Sequence, residues 1–411
     1  MLLRKLITTL LVILCGSNSL QSQELSVIDS LIEQQIKAGQ ISGGVAYVYH
    51  QNQIILQKAY GLSDIDRKQP MQVNNIFRIA SNTKIIISIA VLQLVERKQI
   101  GLDDPIEKFL PEFSNQKVVK TVGDSFILVE RSRSVTIRDL LTHQSGIASP
   151  DEYPARRALF AQYGLHQSMS SQYSTLAEEV VQIATMPLMH QPGERFSYGL
   201  STNVLGRLIE KTSGLGLDEY LYKNIFMPLG MRDSYFYLPT RKSARLAKVY
   251  VKNSAGKLEA FSSSAINIDY PLIKGSRYFS AIGGLVSTVA DLGKFLICLL
   301  EEGEVAGRRI IGKEMLEQFW NNQLGNKTFI FGGVPSLNNF GLGVGLTTVA
   351  GQKINGASVG TFFWGGAFNT AYMVDRKRRL ITIFFFQRTP FVLPGLLSQL
   401  EKVTIRCIDQ Q

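Results

Sequence analysis

Ser81 and Lys84, three residues apart in Ser81-Asn82-Thr83-Lys84, could together turn a serine hydroxyl into a nucleophile. On a helix, residues three apart project from one face, so the ammonium can reach the hydroxyl. Serine is a poor nucleophile at its free pKa and needs such a neighbour. The spacing alone decides nothing, because Ser114-Asn115-Gln116-Lys117 and Ser254-Ala255-Gly256-Lys257 share it. Their surroundings separate the three. After Ser81 comes Ile85-Ile86-Ile87-Ser88-Ile89-Ala90-Val91-Leu92-Gln93-Leu94-Val95-Glu96, apolar nearly all round, which predicts a buried helix. A serine on the first turn of such a helix sits at the positive end of its dipole, beside free N–H groups. Ser254 lies between two short strand-like runs, which predicts a hairpin turn. Ser114 follows Pro111-Glu112-Phe113 in a polar connector. Ser81 is therefore the candidate nucleophile.

Acyl transfer by a serine also needs a proton acceptor, an oxyanion site and room for the acyl group. The chain has four histidines, His50, His143, His166 and His190, and none lies in a nucleophile-elbow or metal-ligand pattern. His143, in Leu140-Leu141-Thr142-His143-Gln144-Ser145-Gly146, reads as a hydrogen-bonded structural residue at a helix end. A lysine and tyrosine pair is the better acceptor. Tyr198 lies in the glycine-bearing turn Pro192-Gly193-Glu194-Arg195-Phe196-Ser197-Tyr198-Gly199-Leu200, just before a helix, where side chains are presented rather than packed. A free phenol, with a pKa of about 10, is a weak base at neutral pH, but an ammonium beside it stabilises the phenolate. Lys84 would supply that charge.

Ser81 to Lys84, the turn at Tyr198 and Trp364-Gly365-Gly366-Ala367 occur in the order expected of class C β-lactamase-like and penicillin-binding-protein-like serine hydrolases. The chain resembles that family over about residues 25–405, with further similar stretches at Leu140 to Gly146, Gly283 to Thr288 and Phe340 to Gly343. The resemblance implies an α/β fold of the β-lactamase/transpeptidase type: a mostly antiparallel sheet flanked by helices, plus a helical subdomain, with the site between them. It implies Ser81, Lys84 and Tyr198 as catalytic residues, and the N–H groups of Ser81 and Ala367 as the oxyanion hole. No cofactor and no metal is implied.

Two departures bear on substrate. Tyr198-Gly199-Leu200 stands where a β-lactamase of this class carries Tyr-x-Asn, and Trp364-Gly365-Gly366 stands where it carries Lys-Thr-Gly. Leu200 cannot donate an amide hydrogen bond, and Trp364 exchanges a cation for an aromatic wall. Gly365 and Gly366 let backbone approach a substrate closely. These forms look like family VIII carboxylesterases and related acyltransferases. The expectation is an exported serine hydrolase that forms an acyl-Ser81 intermediate and cleaves carboxylic esters, with Trp364, Gly365, Gly366 and Leu200 around the substrate. A D-amino-acid peptidase or weak β-lactamase acting on cell-wall-like amides is the alternative. A silent ligand-binding relative is disfavoured because Ser81, Lys84 and Tyr198 are all intact.

The elements that must position these residues are legible in outline. Leu25 to Ala38 predicts an amphipathic helix; Gly44 to His50 and Ile54 to Ala59 predict strands joined by a tight turn at Gln51-Asn52. From about residue 102 to 275 mostly helices and loops are expected, including helices at Thr136 to Thr142 and Asn203 to Thr212. A helix is expected near Thr288, followed by strands at Phe340 to Val349, Ala357 to Phe363, Ala371 to Val374 and Leu380 to Gln387, and a closing helix from Leu396. Strands at both ends imply one sheet built from about residues 25–100 and 276–405, with a helical subdomain from about 101–275 beside it.

A chain of 411 residues with 45% hydrophobic and 19% charged residues can bury a large core. Arg4 and Lys5 precede the apolar stretch Leu6 to Cys15, and small and polar residues follow, so residues 1–22 read as a secretory signal peptide, too short to span a bilayer. A periplasmic or extracellular location and no stable membrane span after cleavage are expected. Losing Arg4 and Lys5 takes the net charge from +11 to +9. The basic residues are scattered, Arg376-Lys377-Arg378-Arg379 reads as a solvated hairpin turn, and no aromatic-interleaved basic stripe points to nucleic acid. The expected partner is a small ester or peptide-like substrate. Cys298 reads as a buried thiol, with pairing to Cys407 as the other possibility.

Overall fold

Gln51 and Asn52 both adopt positive φ, 45° and 70°, in the tight turn that joins strands β1 (Gly43–His50) and β2 (Gln53–Asp64). That backbone matches the twist of paired strands. The computed structural model describes residues 25–410, apart from 124, 151–155, 166–172, 264–266, 332 and 392. The expected signal peptide at residues 1–22 lies outside the described residues.

Six further strands complete the sheet: β3 (Gln69–Pro70), β4 (Asn339–Phe340), β5 (Gly345–Leu346), β6 (Phe362–Gly366), β7 (Thr370–Asp375) and β8 (Leu380–Phe386). Their order is β4-β5-β6-β7-β8-β1-β2-β3, and every pairing is antiparallel. The two ends of the chain meet where β1 pairs with β8, Val45 opposite Phe385 and Tyr47 opposite Ile383. Both strands are buried along their whole length, as expected for strands covered on two faces.

The helices that matter for the site are α1 (25–37), α2 (Thr83–Glu96), α3 (Ile137–Leu141), α4 (Leu176–Thr185), α5 (Ser201–Ser213), α6 (Val289–Leu300), α7 (Val349–Asn355) and α8 (Pro394–Asp409). Strand alternation sends Val45, Tyr47, Tyr372 and Ile383 into a core shared with α2 and the helical part. It sends Ala46, Val48, Met373 and Phe384 into a second core with Ile28, Ile32 and Leu400 of α1 and α8. Threonine caps set several helix starts: Thr136 forms a capping box with Asp139, and Thr288 accepts from the Asp291 N–H.

Three local expectations need correction. The run Phe340 to Val349 is not one strand. Gly343, at φ 97°, turns the chain between β4 and β5, and Thr348 caps α7. A hairpin of Val118–Val122 and Ser125–Val129 stands in a region where mostly helices and loops were expected. Val122, Phe126, Ile127 and Leu128 are exposed on it, so no buried face imprinted an alternating pattern. The basic turn between β7 and β8 is present but not merely solvated: Arg376 lies 3.9 Å over the Trp320 ring, and Arg378 pairs with Asp375 and Asp409. Cys298 and Cys407 pack in the two different cores, with the sheet between them, so no disulfide joins them. Burial pushes the Cys298 thiol up to about 12.

Candidate active site

Ser81 sits in a single 3-10 turn, Ala80–Asn82, that runs straight into α2, one step earlier than the first α-helical turn the sequence suggested. Ala80, just before it, holds φ 46°, a left-handed conformation that strains a residue bearing a Cβ. Neighbouring side chains hold the strained turn in place. Asn82 Nδ2 donates to Thr370 Oγ1 at 3.2 Å, and Thr370 Oγ1 donates to the Ile79 carbonyl at 3.1 Å. β6 lies against the same turn so tightly that a Cβ on Gly366 would stand 2.5 Å from Ile79 O and 2.4 Å from Thr370 Oγ1. Only glycine admits that approach.

α2 buries every residue from Thr83 to Leu94, so Lys84 enters an apolar interior. Its Nζ lies 3.2 Å from Ser81 Oγ, donates to the Ile282 carbonyl at 2.6 Å, and stands 4.7 Å from the centre of the Tyr198 ring. Carbonyl and ring both offset the cost of burying the charge. The Ile282 peptide is itself tethered: its N–H donates to Asn203 Oδ1 at 2.9 Å, and Asn203 Nδ2 donates to Glu179 Oε2 at 2.6 Å. Tyr278 donates to the same carboxylate oxygen at 2.9 Å. Burial pushes Glu179 up to about 7, against the pull of these two hydrogen bonds.

Tyr198 arrives from the turn before α5, with Oη 2.9 Å from Ser81 Oγ. The fold thus brings Ser81, Lys84 and Tyr198, 117 residues apart at the extremes, within hydrogen-bond reach of one hydroxyl. His143 supports the turn rather than the hydroxyl. Its carbonyl accepts from the Ser197 N–H at 2.7 Å and its ring lies 4.7 Å from that of Tyr198. Burial, with the Lys84 charge adding, drives His143 down to about 3, so it is neutral near pH 7.

A cavity of about 520 Å³ opens over Ser81, lined by Tyr198, Trp364, Gly365, Gly366 and Ala367 among others. No described residue accepts from the N–H of Ser81 or Ala367, so both remain available to an oxyanion in the cavity they line. Trp364 forms an aromatic wall with Phe329 stacked at 6.0 Å and Phe331 edge-on at 5.5 Å. Leu200 must be reassigned: it is 1% exposed, packs in the core and does not line this cavity. An apolar side chain beginning α5 is more stable turned inward than facing a wet cleft.

The rival serines lie elsewhere. Ser254 is in the turn between Tyr250–Lys252 and Leu258–Ala260, and Ser114 follows the 3-10 turn Pro111–Phe113, with its lysine three residues on, Lys117, paired to Glu130. Sequence reasoning missed Ile282, Asn203, Glu179 and the Phe329 and Phe331 wall. The carbonyl carries no side-chain signal, and Glu179 is one acidic residue on an ordinary amphipathic helix. The aromatics at 329 and 331, two apart and followed by two glycines in the sequence, were the one readable hint.

Residues 28–396 match the beta-lactamase family, and the chain belongs to it. It is a serine hydrolase, and proteins named as esterase and acyltransferase are among those it is similar to. The monacolin J acid methylbutanoyltransferase of Aspergillus terreus is 29% identical over 385 residues, covering 89% of this chain and 91% of that one. Esterase EstB of Burkholderia gladioli is 32% identical over 213 residues, 51% of this chain and 50% of the relative. The structure of EstCE1, a hydrolase with promiscuous acyltransferase activity, superposes with a TM-score of 0.82 at 21% identity, covering 95% of this chain and 99% of that one.

Proposed function

We propose that this chain is an exported carboxylesterase that works through an acyl-Ser81 intermediate. One observation carries the reading: Ser81 Oγ is shared between Lys84 Nζ at 3.2 Å and Tyr198 Oη at 2.9 Å, at the mouth of an aromatic-walled cavity. Tyr198, as phenolate beside the Lys84 ammonium, takes the Ser81 proton while Oγ bonds to the ester carbonyl carbon. The N–H groups of Ser81 and Ala367 receive the oxyanion. The C–O bond to the alcohol breaks, and the proton on Tyr198 passes to the leaving oxygen. Water then attacks the acyl carbon, gives a proton to Tyr198, and Ser81 recovers a proton as the acid departs. The relatives named above as esterase and acyltransferase support ester over amide, and an acyl acceptor other than water would follow the same route. Among the described residues, the cavity lining holds no lysine or arginine to meet a β-lactam carboxylate. The basic, apolar, then small-residue order of residues 1–22 supports export.

Reaction of the mature protein with a fluorophosphonate should place the adduct on Ser81, and Ser81→Ala should abolish it. The same preparation should hydrolyse 4-nitrophenyl butyrate readily and nitrocefin slowly. Faster turnover of nitrocefin than of every short ester would overturn the esterase reading. Full activity in Ser81→Ala would overturn the mechanism.

A further inference from the structure

The cavity over Ser81 does not end on the Ser81 side of the sheet. β5 pairs with β6 only at Phe362 and Phe363, so from Trp364 to Gly366 the edge of β6 facing β5 has no strand partner. The cavity passes round that open edge. Trp364 and Tyr372 line it on the Ser81 face, whereas Phe363 and Ala371 line it on the face covered by α8. Its far end lies between Gly351 and Ile354 of α7 and Leu397, Ser398 and Glu401 of α8.

Glu401 is the only charged side chain among the described residues that line this space. No described residue donates a hydrogen bond to its carboxylate or pairs with it, and partial burial raises it above the ordinary carboxylate range, a shift that a cation beside it would reverse. On the wall of the same cavity the Asn338 Oδ1 is buried without a donor. The Glu401 carboxylate thus faces the cavity without a protein partner, in a lining whose other side chains are neutral, and a donor-bearing ligand would supply one. A carboxylate is best satisfied by a cation, because a charge-assisted hydrogen bond in a low-dielectric site is among the strongest available. The acyl half of an ester stays on the nucleophile through deacylation while the alcohol departs, so a cavity continuous with Ser81 suits the acyl chain.

Resting on the esterase reading above, we propose that the pocket between α7 and α8 is a distal acyl subsite in which Glu401 receives a terminal ammonium group, so that the preferred substrates are esters of ω-amino acids with an apolar chain. The chain would run from Ser81 past Trp364, round the edge of β6 and along Phe363 to Glu401. Aliphatic methylenes match the apolar stretch, and the ammonium supplies donors at its end.

Matched pairs of 4-nitrophenyl esters test this, ω-ammonioalkanoates of six to twelve carbons against alkanoates of equal chain length, with the ratio of kcat/KM at the best length read within each protein. The wild type should favour the ammonium ester by about tenfold or more. Glu401→Gln should bring the ratio near unity through KM, and Glu401→Leu should invert it. A wild-type ratio at or below unity, or a preference that persists in Glu401→Gln, would overturn the subsite while leaving the esterase intact. If none of these esters is hydrolysed, the esterase reading fails and calorimetry decides the subsite alone. Hexylammonium must then bind the wild type more tightly than hexan-1-ol, and Glu401→Gln must erase the difference; equal binding of the two probes overturns it.

Discussion

The ammonium of Lys84 lies closer to the carbonyl oxygen of Ile282, at 2.6 Å, than to the hydroxyl of Ser81, at 3.2 Å. Its position therefore depends on a backbone group in a loop some 200 residues away, which Asn203 and Glu179 hold from behind. Asn203→Ala should lower kcat about tenfold or more with KM little changed, because the substrate is bound as before while the proton relay is misplaced. An equal rise in KM with kcat intact would show that Asn203 acts on binding instead.

Glu179 adds a pH dependence whose sign is fixed by its upward shift. The unfolded carboxyl titrates near 4.5 and the folded one near 7, so between these values the native state holds the proton that the unfolded chain has lost. Stability from this group is present below about pH 4.5 and is lost as pH rises through 7, at up to about 1.4 kcal/mol per unit. Glu179→Gln keeps an acceptor for Asn203 and Tyr278 without a charge. It should retain most activity and flatten the fall in Tm between pH 5 and 8. Glu401 shifts in the same direction, so the flattening will be partial. An unchanged slope would remove Glu179 from the account.

Lys84→Ala and Tyr198→Phe should each lower kcat/KM on 4-nitrophenyl butyrate severely, and the double variant should be little worse than either. Two groups that hand one proton between them fail as a unit. Losses that multiply would mean that lysine and tyrosine act independently.

His143→Asn should leave the fluorophosphonate adduct on Ser81 and cost about 1–3 kcal/mol of stability, through lost ring packing against Phe196 and Phe340. Asparagine tolerates the positive φ of 54° at this position. The wild-type His143 is depressed to about 3, so it contributes stability above the usual histidine value that is lost as pH falls toward 3. Urea titrations at pH 7 and pH 4 should show the variant losing less between them. A folded variant without activity would make His143 part of the chemistry.

Trp364→Lys would place an ammonium at the wall of the cavity in exchange for an indole that is 6% exposed and stacked on Phe329. Stability should fall by about 3–5 kcal/mol, as for other large aromatic losses in a core. The efficiency on nitrocefin relative to 4-nitrophenyl butyrate should rise about tenfold, the worth of one charge-assisted hydrogen bond. No change in that ratio would show that Trp364 does not set the preference.

Some of this was written in the chain itself. The apolar run after Ser81 announced α2 because a helix buried all round has no polar face to hide. Gln51-Asn52 between two apolar runs announced the β1 to β2 hairpin through turn chemistry that acts over neighbouring residues. The order of Ser81, Tyr198 and Trp364 pointed to a candidate site only through the resemblance to β-lactamase-like hydrolases. Leu200 was misread because sequence gives a residue's place on a turn but not the direction of its side chain, which core packing decided. The exposed hairpin at 118–129 escaped because a strand with little buried surface carries little pattern.

What only the tertiary structure decided was convergence. The Ile282 carbonyl reaches Lys84, Glu179 steadies Asn203, and the cavity bends round β6 to Glu401, across separations at which local propensity says nothing. A backbone carbonyl has no residue type, and a glutamate reads the same whether it ends solvated or enclosed. Burial, which depends on every chain segment packed around a group, gives those atoms their chemistry.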